Sequence, residues 1–103
     1  MEYNYSYFIK KLKANHMKNN IALSRYELEV DGLITYANYR IDNNVIAIDY
    51  VFAPEELRGT GAAGKLMEEI AKEALAKKMK ILPICGYAAV WLRRHREYHD
   101  LIL

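Results

Sequence analysis

The stretch of this 103-residue chain best suited to holding a ligand is Arg58-Gly59-Thr60-Gly61-Ala62-Ala63-Gly64. Its three glycines carry no side chain, and Thr60, Ala62 and Ala63 carry small ones. An anion can therefore approach the unsatisfied N–H groups at the positive end of the helix that follows. A phosphate suits that description best. No Lys-Ser/Thr follows the glycines, so the turn is not a P-loop.

Other reactive side chains are few. Cys85 is the single cysteine, at the end of a predicted strand and just before Gly86 and a helix start, where a thiol is favoured as thiolate. A lone cysteine is also commonly a buried packing residue. Tyr50 interrupts an apolar run, and a phenol is a poor base at neutral pH, although it can orient a substrate or act as an acid. Glu55 and Glu56 read as loop charges. His95 and His99 are four apart, a spacing that can hold a metal on a helix, but no third ligand is evident. Arg93, Arg94, His95 and Arg96 read either as contacts for phosphates or an acidic partner, or as a solvated helix end complementing the dipole. Trp91 reads as core.

The elements that must position these residues are legible in outline. Tyr26, Leu28 and Val30 alternate with Arg25, Glu27 and Glu29, the pattern of a half-buried strand. Asp31-Gly32 is a hairpin turn, Leu33 to Arg40 a second strand, Asp42-Asn43-Asn44 another turn, and Val45 to Ala53 a nearly all-apolar central strand. Asp49 within it reads as solvent-facing or as a polar group near a cleft. From Ala62 to about Lys78 the period becomes helical, with Leu66, Met67, Ile70, Ala71, Ala74 and Leu75 on one stripe, and Glu68–Lys72 and Glu73–Lys77 as i,i+4 pairs. Ile81 to Cys85 is the next strand, and its Pro83 points to an edge or splayed position. A C-terminal helix follows. The expected fold class is α/β (α+β), a mostly antiparallel central sheet with a central amphipathic helix and a C-terminal helix, in one domain over residues 21–103.

Residues 1–20 form an N-terminal extension with two readings. Tyr3, Tyr5 and Tyr7 alternate as in a strand, while Phe8, Ile9, Leu12 and His16 approach helical spacing. Such a segment could add to or cover a sheet edge, or supply a self-association surface, so a homodimer is compatible with it.

In this context Arg58-Gly59-Thr60-Gly61-Ala62-Ala63 resembles the acetyl-coenzyme A (acetyl-CoA) pyrophosphate loop, Arg/Gln-x-x-Gly-x-Gly/Ala, of the GNAT-type N-acetyltransferase superfamily. The tail from Pro83-Ile84-Cys85 through Arg94-His95-Arg96-Glu97-Tyr98 is similar to its compact, stand-alone YjdJ-type branch. The resemblance covers about Ser24 to Leu103. It implies that the backbone of Val51, Phe52 and Ala53 binds the pantetheine amides and polarises the thioester. It also implies that Arg58, Gly59, Thr60, Gly61, Ala62, Ala63 and Gly64 hold the pyrophosphate, with acetyl-CoA as co-substrate. Acetyl would pass to an amine on a small molecule or a protein, with Cys85 and Tyr50 as the candidate catalytic residues. The chain departs from the branch where a base is expected. Tyr50 and Phe52 stand at the positions of a His-x-Glu or His-x-Tyr pair, Ala53 replaces a valine, and Arg96 stands where related proteins often have proline.

Composition narrows the alternatives. A net charge of +2, from 15 basic and 13 acidic residues, is too small for the footprint of a nucleic-acid binder. One cysteine excludes an internal disulfide and fits a reducing compartment. With no run near the roughly 20 apolar residues of a membrane span, and no apolar signal-peptide core, the expectation is a cytoplasmic protein. Two rivals stay open: a non-catalytic acyl-CoA-binding or protein-interaction module, and a weaker one in which the basic helix binds RNA or protein.

Overall fold

The computed structural model describes residues 16–103. Tyr3, Tyr5, Tyr7, Phe8, Ile9 and Leu12 lie outside the described residues, and with them most of the two readings of the extension. Among the described residues, five strands form one sheet in the order β1-β2-β3-β4-β5. They are β1 (Lys18–Asn20), β2 (Arg25–Val30), β3 (Leu33–Asp42), β4 (Val45–Phe52) and β5 (Lys80–Pro83). The first four are antiparallel neighbours, and β5 runs parallel to β4. β1 lies within the segment set apart as an extension and pairs Asn20 with Arg25.

Both tight hairpins use left-handed residues. Asp31 and Gly32 have φ of 53° and 80°, and Asn43 and Asn44 have 49° and 61°. Two successive positive-φ positions match the right-handed twist of the flanking strands, and Asp, Asn and Gly are the residues that reach them at least cost.

Helix α1 (Ala62–Lys77) connects β4 to β5, and α2 (Gly86–Arg94) follows β5. Leu66, Met67, Ile70, Ala71 and Ala74 of α1 are completely buried against Tyr26, Leu28 and Val30 of β2 and Ile46 and Ile48 of β4. Leu66, Met67 and Ile70 each contribute about 1.5–3 kcal/mol by leaving water, and the two alanines less. Leu75, expected on that stripe, is exposed. The helix turns only one face to the sheet, and position 75 falls past its edge. The pairs Lys72–Glu68 and Lys77–Glu73 form at 3.6 and 3.7 Å at the margin of the buried stripe, with the lysines exposed and Glu73 Oε2 shielded from solvent.

The tail is not one helix. His95 leaves helical geometry at φ −114°, ψ 90°, and a 3-10 segment over Arg96–Leu101 folds back. Ile102 then bridges to Ile81 on the outer side of β5. Pro83 is the last residue of that strand, where its missing N–H removes no interior ladder bond.

A cleft where the sheet opens

β4 and β5 stay in register only to Ile48 and Pro83. There Ile84 N–H turns back to Leu82 O at 3.1 Å, and Cys85 N–H donates to Ile48 O at 2.9 Å. Beyond this point β4 continues to Phe52 against β3 alone. The same stretch carries a bulge: Tyr39 faces Ile48 and Asn38 faces Tyr50, so Asp49 is the extra residue. A bulge bends the strand and resets which side chains face inward. Asp49 is held on the far strand by two hydrogen bonds from Arg40, both 2.7 Å, and that pairing keeps its carboxyl below the usual carboxylate range. Thr35, fully buried, donates its hydroxyl to Phe52 O at 2.6 Å and ties down the strand end.

The second wall is the turn before α1. A short 3-10 turn, Glu55–Leu57, buries Leu57 while Glu55 and Glu56 stay exposed outside the cleft. Gly59 and Gly61 take φ of 79° and 90°, a region that costs a side-chain-bearing residue about 1–2 kcal/mol. Arg58 Nε donates to Ala53 O at 3.2 Å, fastening the turn to the end of β4. Thr60 points inward, with its hydroxyl donating to Leu57 O at 2.5 Å and accepting from Ala62 N–H at 3.2 Å. The first backbone bond of α1 is Lys65 N–H to Gly61 O at 2.9 Å. Ala63 and Gly64 N–H therefore stand ahead of any intrahelical acceptor, at the positive end of a 16-residue helix.

The third wall is α2. Tyr87, Val90, Trp91 and Arg94 follow helical spacing and line the same cleft of about 870 Å³. A Cβ placed on Gly64 would meet Trp91 Nε1 at 3.4 Å and Tyr87 Oη at 3.6 Å. The bare position thus leaves a cradle of about one methyl group between α1 and α2. His95 lies on Trp91, ring centroids 3.8 Å apart and 15° from parallel. Its Nδ1 is 2.7 Å from Trp91 O. A carbonyl only accepts, so Nδ1 carries the proton.

The cleft gathers Tyr50, Val51, Phe52 and Ala53 with Arg58, Gly59 and Gly61 to Gly64. Thr60 and Cys85 do not line it: Thr60 braces the turn from behind, and Cys85 occupies the N-cap of α2. Lys65, Glu68, Tyr87, Val90 and Trp91 line it although no reading of the sequence placed them there, and Arg94 and His95, one reading of which is phosphate contact, line it too. The i, i+3, i+4, i+7 spacing of 87, 90, 91 and 94 was the available signal. Arg58, Lys65 and Arg94 bring positive charge. Partial burial pushes Glu68 up, but the Lys65 hydrogen bond at 3.2 Å and the Lys65 and Lys72 charges outweigh it and hold the carboxyl below its usual value. His95 and His99 sit on different segments, and His99 Nε2 meets Arg93 O at 2.8 Å. Among the described residues no group of three metal-ligating side chains occurs.

The glycines also satisfy Gly-x-Gly-x-x-Gly, the spacing of dinucleotide-binding turns. That reading fails on the fold. The sheet is antiparallel except for β4–β5, and Pro83-Ile84-Cys85 at the end of β5 lacks the acid that would take a ribose hydroxyl.

The small-residue helix start set against a parallel strand pair that parts in mid-course is consistent with the family that sequence comparison shows. Residues 25–101 match the family model for GCN5-related N-acetyl-transferases, and the chain belongs to that family. Among solved structures it is similar to the NMR solution structure of a GCN5-like candidate N-acetyltransferase from Staphylococcus aureus. The two are 27% identical with a TM-score of 0.68, over 85% of this chain and 87% of that one. No curated protein matches the chain. Among the described residues, no helix is long and apolar enough to cross a membrane.

Proposed function

We propose that the cleft binds acetyl-CoA and that the protein transfers its acetyl group to an amine. The observation that carries this reading is the joining of a parted β4 end to a side-chain-free helix start in one cleft. In it, the N–H groups of Gly59, Gly61, Ala63 and Gly64 and the Arg58 guanidinium take the pyrophosphate. The strand-end backbone of Val51, Phe52 and Ala53 takes the amides of the pantetheine arm and polarises the thioester carbonyl. The Gly64 cradle supports the fit, because only a backbone without a side chain lets a phosphate reach this helix start between the walls.

The reaction is direct attack. The amine nitrogen, as free base, bonds to the thioester carbonyl carbon, the carbon–sulfur bond breaks, and the sulfur leaves as thiolate. The proton lost by the nitrogen goes to water, and the thiolate regains one from solvent or a nearby phenol. Tyr50, half exposed at the cleft, orients the incoming amine. Cys85 stands beside the point of opening without entering the lining, so direct attack needs no acyl-cysteine. Among the described residues no carboxylate or imidazole lines the β4 side of the cleft, which favours a slow enzyme or the second reading, a module that holds acyl-CoA without turning it over.

Release of free coenzyme A thiol, followed with a panel of polyamines, amino acids and peptide N-termini, tests the proposal. Amine-dependent release above the hydrolytic background supports transfer. Binding of acetyl-CoA with no amine raising that background would leave the module reading in its place.

A further inference from the structure

We infer that Tyr36 is a positioning residue for the cleft: its ring, with Arg25 laid over it, clamps Phe52 and so fixes the strand end that takes the pantetheine arm. The inference rests on the acetyl-CoA reading and adds to it two residues on β2 and β3, strands that supply nothing to the cleft lining. The need for a clamp comes from the parting of the strands. Up to Ile48, β4 is held between β3 and β5, but from Tyr50 to Phe52 its only strand neighbour is β3. The edge freed in this way is the one offered to the ligand. The position of its amides therefore depends on what holds Phe52 from the β3 side.

Two side-chain contacts hold it there. The Thr35 hydroxyl donates to Phe52 O at 2.6 Å, and the rings of Tyr36 and Phe52, a directly opposed pair, stack with centroids 5.1 Å apart and 29° from parallel. Aromatic stacking stabilises such a cross-strand pair beyond the area it buries. Tyr36 is braced in turn. The Arg25 guanidinium lies 4.3 Å from its ring centroid, and Arg25 Nε donates to Glu27 Oε2 at 2.6 Å, an oxygen that Asn20 Nδ2 also reaches at 3.0 Å. Glu27 stands opposite Tyr36 on β2 as Phe52 does on β4, so one row of side chains runs across the sheet to the cleft wall. The side chains of Arg25 and Glu27 are only 25% and 16% exposed, a setting that screens the ion pair and the cation over the ring less than an open surface would. A guanidinium tied to both its carboxylate and the ring has little freedom left, and the ring, with Phe52 stacked on it, is fixed accordingly.

Acetyl-CoA and ADP, both titrated by NMR, separate the two halves of the site, because ADP carries the pyrophosphate and lacks the pantetheine arm. Tyr36→Leu removes the stack and should weaken acetyl-CoA on the order of tenfold while leaving ADP affinity unchanged. Tyr36→Phe keeps the ring under Arg25 and should bind both ligands as the native protein does. Arg25→Gln removes the brace alone and should weaken acetyl-CoA about threefold, again with ADP unchanged. Native acetyl-CoA affinity in Tyr36→Leu, or in Arg25→Gln if the leucine variant does not fold, would overturn the inference and spare the acetyl-CoA reading. So would equal losses of both ligands, which would assign Tyr36 to packing alone, or a Tyr36→Phe protein as weak as Tyr36→Leu. A native protein that binds neither ligand would remove both.

Discussion

Cys85 and Ile48 mark the last hydrogen bond between β4 and β5: the cysteine N–H reaches the isoleucine carbonyl at 2.9 Å, and past this pair the two strands part. The cysteine acts here through its main chain. Its thiol sits at the N-cap of α2, outside the cleft lining. Cys85→Ala should therefore keep coenzyme binding and amine-dependent turnover within about threefold of native, because no covalent step is lost. An acetylated Cys85 trapped by mass spectrometry, with turnover abolished in the alanine variant, would refute direct attack.

Gly64 separates stability from function. It lies in a helix, where Ala is favoured over Gly by roughly 0.5–1 kcal/mol, and the added Cβ meets ordinary contact distances at 3.4 and 3.6 Å. Gly64→Ala should melt at or above the native temperature and bind acetyl-CoA at least about tenfold more weakly, an effect of roughly 1.4 kcal/mol. Thermal melts beside calorimetric titrations separate the two effects. Unchanged affinity would mean that no ligand enters the cradle.

Thr60 behaves in the opposite way. Its hydroxyl serves both Leu57 O and Ala62 N–H, so Thr60→Val removes a turn brace and the acceptor for the first N–H of α1 without touching the cleft. The expected cost is about 1–2 kcal/mol of unfolding free energy. Denaturant unfolding measures it, with affinity falling only as far as the turn loosens.

Acid should act through three carboxylates. Hydrogen bonding from Arg25 lowers Glu27 against a smaller opposing effect of burial, Arg40 lowers Asp49, and Lys65 and Lys72 overcome burial to lower Glu68. A depressed folded-state value means that the unfolded chain takes up protons first. The stabilisation is therefore complete above the unfolded carboxyl value near pH 4 and is lost as pH falls through the lower folded values. Urea midpoints should be level from about pH 7 to 5 and decline below, with a shallower decline in Arg40→Gln. A midpoint rising on acidification would contradict these pairings.

Much of this was readable from local chemistry. Asp31-Gly32, the alternation from Arg25 to Val30 and the small residues from Gly59 to Gly64 each dictate backbone geometry within a few positions, and each stands where expected. What escaped depends on packing between distant elements. Trp91 belongs to the core as it reads in the sequence, but that it also lines the cleft follows only from the approach of α2 to Gly64. The end of α2 at His95 follows from the tail folding back to Ile81, which no capping residue announces. The bulge at Asp49 inserts one residue into β4, so alternation could not assign faces to Tyr50 and Phe52.

The central claim is that the cleft holds acetyl-CoA by the turn before α1. Calorimetric titration of the native protein with acetyl-CoA, repeated with Gly61→Glu, tests it most directly. At φ 90°, with a carboxylate set against the anion site, the variant should lose binding. The prediction is one saturable site in the native protein and none in a variant that still gives the native circular dichroism spectrum. A native protein that releases no heat and competes for no labelled coenzyme A, or a folded variant that binds as well as native, would contradict it.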